Sequence, residues 1–353
     1  MPLTWQRWPK SILDTLRQGT VIPAHLLALD SDRKLDERRQ RALSRYYIDA
    51  GAGGLAVGVH STQFAIRECG LYENVLRLAA DTVSSWTTRS LILIAGLVGR
   101  TAQAEREAAI ACDLGYHAGL LSLAAMKGAS EDDLIAHCRA IAAQIPLVGF
   151  YLQTAVGGIR LSRDFWRRFA EIEQVVAIKI APFDRYKTLD VIRGVVEANA
   201  ENRVALYTGN DDSIVLDLLA PFVVRRDSED TAVRIRGGLL GHWSVWTKGA
   251  VETFARIRHA ADAGVISADL LALHAKITDC NAAFFDVANG FHGCIAGCHE
   301  VLRRQGLFEG IWCLDPNEGL SRGQAEQIDR VMRLYPELGD DDFVMGNRER
   351  WLS

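Results

Sequence analysis

Val175-Val176-Ala177-Ile178-Lys179-Ile180-Ala181 reads as a strand, six apolar residues interrupted by a single ammonium group. A strand apolar on both faces belongs to a parallel sheet covered by helices. Burial disfavours the charged form of a lysine and lowers its pKa. It thereby supplies the neutral amine that attacks a carbonyl to form a Schiff base. The plainer alternative is a lysine at a strand end whose stem lies on apolar surface while its ammonium reaches water.

A second apolar run, Ile145-Pro146-Leu147-Val148-Gly149-Phe150-Tyr151-Leu152, places Tyr151 28 residues before Lys179. If both runs are parallel strands of one sheet, Lys179 and Tyr151 emerge at the same edge as neighbours. Such runs recur along the chain, each followed by a segment of helical periodicity, which is the rhythm of βα units. Strands are predicted near Val21–Leu27, Gly54–Val59, Leu91–Leu97, Ala118–Leu123, Leu147–Leu152, Val175–Ile180, Val204–Thr208 and Val233–Leu240. Eight strands suit a closed (β/α)8 TIM barrel over residues 1–264, with chemistry at the C-terminal strand ends. From Gly264 onward the pattern is helical only, and residues 265–353 read as a C-terminal helical cap. Helices are expected over Val245–Ala263, Ser267–Ala288, Phe291–Gln305 and Ser321–Leu334. The charged stretch Arg225–Asp230 reads as a solvated loop.

With 353 residues and a net charge of −4, the chain has no basic cluster interleaved with aromatics, which argues against nucleic acid or an anionic membrane as partner. The N-terminus lacks a secretory pattern and no apolar stretch approaches membrane-spanning length, so a cytoplasmic protein is expected. Seven scattered cysteines suggest reduced thiols. The expected partner is a small molecule, with no cofactor and no metal.

Five features fall at predicted strand ends: His60-Ser61-Thr62-Gln63, Tyr151, Lys179, Tyr207-Thr208-Gly209-Asn210-Asp211-Asp212, and Gly237-Gly238-Leu239-Leu240. In this order they resemble the dihydrodipicolinate synthase and N-acetylneuraminate lyase family of class I aldolases, over about Val21–Leu334. The resemblance implies a barrel with a helical C-terminal extension and, in many members, a homo-oligomer. It implies that Lys179 is the Schiff-base lysine and Tyr151 the proton-passing tyrosine, with Ser61 as a relay. His60, Thr62 and Gln63 fall in the loop that holds the carboxylate of a 2-oxo acid, and Gly209 and Leu240 at positions that line the pocket.

The loop departs from the family pattern, since His60 replaces a threonine, Thr62 a glycine and Gln63 a glutamate. The fourth-strand end, Leu123-Ala124-Ala125-Met126-Lys127-Gly128, lacks the tyrosine that reaches a neighbouring subunit in the synthases. Leu152-Gln153-Thr154-Ala155-Val156-Gly157-Gly158 lacks the arginine that binds the second substrate's carboxylate. Without that guanidinium a dicarboxylic amino-aldehyde loses its main charged contact. The expectation is therefore a lyase or aldolase acting on a pyruvate-type 2-oxo acid, an aldehyde or a sugar acid, outside lysine biosynthesis.

Two rivals stand beside it: a metal-dependent barrel hydrolase using His25, His60 and His242, and a barrel that binds without catalysis. Cys294 and Cys298 are read as small buried hydrophobes on one helix face rather than zinc ligands. Asn210-Asp211-Asp212 is read as the start of a helix at Ser213.

Overall fold

The computed structural model describes residues 3–353. Among the described residues ten strands form: β1 (Val21–Pro23), β2 (Gly54–Val57), β3 (Ile92–Leu97), β4 (Ala118–Leu121), β5 (Leu147–Leu152), β6 (Val175–Ala181), β7 (Ala205–Thr208), β8 (Pro221–Arg226), β9 (Glu229–Arg234) and β10 (Gly237–Leu240). Eight of them, all but β8 and β9, make one parallel sheet in the order β1-β10-β7-β6-β5-β4-β3-β2. A parallel bridge between Ala24 and Ala56 brings the first and last strands together, and the His25 N–H donates to the Ala56 carbonyl at 2.8 Å. The sheet is thus a closed (β/α)8 barrel, as the strand rhythm predicts.

The inward side chains form a core of their own, including Ile22, Ile94, Leu120, Val148 and Leu239. Its N-terminal end is plugged by a helix over Lys10–Gln18, which brings Ile12 and Leu16, four apart and so on one face, into that core with Trp8. The Tyr207 hydroxyl donates to the Leu16 carbonyl at 2.9 Å and fixes the plug from within. With the N-terminal end of its core filled in this way, the barrel has a cavity reaching its inner wall at the C-terminal strand ends.

Helices Ala268–Phe284, Cys294–Arg304, Gln324–Leu334 and Asp341–Leu352 follow the barrel helix Thr247–Ala263. Their apolar faces join the outer core that the barrel strands share with their own helices. The last helix returns to the start of the chain: Trp351 packs on Tyr46 at 5.4 Å between ring centres, and the Arg38 Nε donates to the Leu352 carbonyl at 2.8 Å. Among the described residues, no helix is long and apolar enough to cross a membrane.

The structure corrects the sequence expectation in one segment. Residues 221–234 form an antiparallel hairpin, β8 and β9, outside the barrel, and the eighth barrel strand is only Gly237–Leu240. Arg225–Asp230 is the tip of this hairpin rather than a free loop. Phe222, Val224 and Val233 pack inward while Val223 stays exposed, so the hairpin has an alternating pattern beneath its charges.

Candidate active site

Lys179 is 8 % exposed and its side chain enters a cavity at the C-terminal ends of the barrel strands. Passage of that side chain depends on Gly209, because a Cβ there would stand 2.7 Å from the Lys179 Cε and 2.8 Å from the Ala181 Cβ. The backbone around Gly209 is held from several directions. Its N–H donates to the Ile180 carbonyl at 2.7 Å, and Asn210 accepts from the Phe183 N–H at 3.0 Å. The Asn210 amide donates to Thr188 and to Asp217, which is buried, ion-paired with Arg185 and bonded by Thr208 at 2.6 Å. From the cap, Asn281 donates to the Asp211 carbonyl at 2.6 Å.

Held by this scaffold, Asp211 lines the same cavity as Lys179. Its Oδ1 is buried and makes no hydrogen bond, which is a costly arrangement for a carboxylate. Burial raises the Asp211 pKa, and the Lys179 charge opposes that rise. Burial lowers the Lys179 pKa, opposed by Asp211. The two pKa values are thus drawn toward each other from opposite sides, by burial of each group, although the side chains make no hydrogen bond or ion pair with each other. His60 lines the same cavity; burial and the Lys179 charge hold its pKa down to about 4, so its ring is neutral at physiological pH.

Of the residues singled out in the sequence, Lys179, His60, Ser61 and Gly209 meet at this cavity. Thr62 does not. Its hydroxyl accepts from the N–H groups of Gly58 and Val59 and donates to the His25 carbonyl at 2.6 Å, so it pins the loop. Gln63, at φ +66°, accepts from the Leu314 N–H at 2.6 Å and ties the loop to the cap. Leu240 is wholly buried in the outer core, and Gly241 lines the cavity in its place.

Tyr151 is the principal correction. Lys179 lies in register with Phe150, and Tyr151 with Ile180, so strand alternation sends Phe150 inward beside the lysine and Tyr151 outward. The Tyr151 ring packs on Trp166 at 5.2 Å, and its hydroxyl donates to the Leu161 carbonyl at 3.2 Å. It is turned away from Lys179, while the Phe150 ring centre stands 4.5 Å from the Lys179 Nζ.

The three histidines of the metal reading do not converge. His25 is wholly buried behind the barrel wall, with Nε2 on the Ser44 hydroxyl at 2.8 Å and Nδ1 facing the Leu26 carbonyl at 2.8 Å. His242 stacks on Phe284 from the cap, 6.2 Å between centres. Neither lines the cavity with His60.

Sequence reasoning missed Asp211, Phe150 and the contribution of the cap. Cys294 and Cys298, one helical turn apart, do share a face, and that face roofs the cavity with Ile295 nearby. Burial pushes the Cys294 thiol up to about 12, which keeps it protonated. The position of Asp211, two residues beyond Gly209 at the end of β7, was the available signal.

The site is thus a cavity at the C-terminal strand ends of a closed barrel, with a buried lysine of the sixth strand in its wall. Residues 17–221 match the Dihydrodipicolinate synthetase family, and the chain belongs to it. That family comprises class I aldolase-type lyases. The chain is 24% identical over 212 residues to a 4-hydroxy-tetrahydrodipicolinate synthase of Bifidobacterium longum, covering 59% of this chain and 65% of that one. It is 28% identical over 203 residues to an N-acetylneuraminate lyase of Citrobacter koseri, covering 57% of this chain and 65% of the relative. The chain thus spans about 65% of the length of these curated relatives. In fold it is similar to the dihydrodipicolinate synthase of Acinetobacter baumannii solved with pyruvate, with a TM-score of 0.73 and 21% identity over 89% of this chain and 98% of that one.

Proposed function

We propose that this protein is a lyase that captures a pyruvate-type 2-oxo acid as a Schiff base on Lys179, with Asp211 moving the protons. The observation that carries the reading is that the buried Lys179 and the carboxylate of Asp211 line one cavity and bear on each other's charge. Passage of a proton from the ammonium to the carboxylate, relayed by water in the cavity, yields the neutral amine needed for attack and the neutral acid needed for the next step. The amine adds to the ketone carbon, the resulting carbinolamine loses water with a proton supplied by Asp211, and an iminium forms. That iminium draws electrons from the adjacent carbon, so the carboxylate of Asp211 can take a proton from it and leave an enamine. In this scheme the Ser61 hydroxyl and the neutral His60 ring, both in the cavity wall, hold the substrate's carboxylate and carbonyl oxygens.

Tyr151 has no part in this scheme, because its hydroxyl serves the Leu161 carbonyl. The test is pyruvate release or uptake with a panel of 2-oxo acids, aldol products and sugar acids by the native protein and by Lys179→Ala. Turnover that survives in Lys179→Ala rejects the reading.

A further inference from the structure

We propose that the second substrate, the aldehyde that exchanges with the enamine, is apolar, an aromatic or alkyl aldehyde rather than a polyhydroxylated or charged one. The inference rests on the Schiff-base reading and names the substrate class for that same site.

The cavity wall around the lysine supports it. Lys179 is the only cation among the lining residues, and no arginine is among them. Asp211, Ser61, His60 and the backbone beside them are accounted for by one 2-oxo acid and its protons. Beyond them the wall offers a single further amide, Gln153, and its side chain is already engaged, donating to the Pro182 carbonyl at 3.0 Å and accepting from the Ala155 N–H at 3.3 Å. The rest of the lining is mostly apolar, with Phe150, Leu152, Phe183, Phe285 and Phe291 below the roof of Ile295 and the Cys294 and Cys298 thiols. Phe183 and Phe291 meet edge to face with ring centres 5.8 Å apart, one from the loop after β6 and one from the cap. Both have positive φ, +52° and +69°, backbone that a phenylalanine adopts only when its surroundings hold it there.

A sugar-derived aldehyde would bury several hydroxyls against this wall without partners, and a charged one would bring a second charge with no counterion. An apolar aldehyde meets neither obstacle. The enamine carbon attacks the aldehyde carbon, a carbon–carbon bond forms, and the carbonyl pair moves to oxygen, which takes a proton from Asp211. Water then adds to the iminium, releasing Lys179 and a 4-hydroxy-2-oxo acid; the reverse sequence cleaves that product.

The experiment uses the intact protein with pyruvate and either benzaldehyde or hexanal, set against glyceraldehyde or erythrose. Consumption of pyruvate and the Lys179 adduct trapped by borohydride are both followed. The expected result is an adduct with pyruvate and a kcat/KM for the apolar aldehydes about 100-fold or more above that for the polyhydroxylated ones. An adduct with pyruvate combined with equal or better use of the polyhydroxylated aldehydes overturns the inference while leaving the Schiff base standing. Absence of any adduct removes the Schiff base, and this inference falls with it.

Discussion

Phe150 on β5 stands beside Lys179 on β6, and the lysine Nζ lies 4.5 Å from the centre of the phenyl ring. A ring face at this distance favours the ammonium, as does Asp211, whereas burial favours the amine. The charge on Lys179 is thus balanced between burial on one side and two neighbours, Phe150 and Asp211, on the other, and the phenol of Tyr151 is not one of them.

Tyr151→Phe is accordingly expected to leave borohydride trapping of pyruvate within a few-fold of the native protein. It should cost about 1 kcal/mol of stability from the lost bond to the Leu161 carbonyl. Trapping rates and a urea unfolding midpoint measure the two effects; a drop in trapping of 100-fold or more would return Tyr151 to the chemistry.

Asp211→Asn removes both the proton carrier and the negative charge that raises the Lys179 pKa. Turnover should fall by about 10²–10⁴, the usual worth of a positioned acid–base group. The lysine then deprotonates more readily, so the acid limb of the trapping profile moves to lower pH. A limb that stays in place, or moves upward, contradicts the pairing.

Gly209→Ala places a methyl 2.7 Å from the Lys179 Cε, and the side chain or β7 must shift. A misplacement of this size at a reacting centre costs about 100-fold in rate. Steady-state kinetics should show that loss mainly in kcat. Circular dichroism checks that the barrel is kept.

The strand rhythm of the barrel and the burial of Lys179 on its sixth strand were legible in the chain. The facing of Tyr151 was not, because Leu147–Leu152 is apolar on both faces and carries no alternation from which to choose an inward residue. Only the pairing across β5 and β6, which includes a register shift between Leu147 and Val148, decides it. Asp211 was hidden by a competing local meaning, since an acidic residue just before a helix reads as a cap. The hairpin of β8 and β9 was obscured in the same way, by charges on its outward positions. In Thr62 and Gln63 the chain shows polar side chains at a strand end, a pattern shared by substrate binders and by residues that only hold a loop.

Acid should destabilise the fold through its buried imidazoles. Burial holds His25, His242 and His299 down from 6.5 to about 4. In the unfolded chain these rings take up protons as pH falls below 6.5, whereas in the folded protein they stay neutral until about 4. Their contribution is complete above the unfolded value and is lost across that interval as pH falls. Urea midpoints at about pH 7.5 and about pH 5 measure it, and a midpoint that rises on acidification would contradict the assignment.

The most direct test is borohydride reduction of the protein with pyruvate, followed by peptide mapping by mass spectrometry. The account predicts one covalent adduct, on Lys179, absent from Lys179→Ala. An unmodified Lys179, or an adduct carried by another lysine, would contradict it.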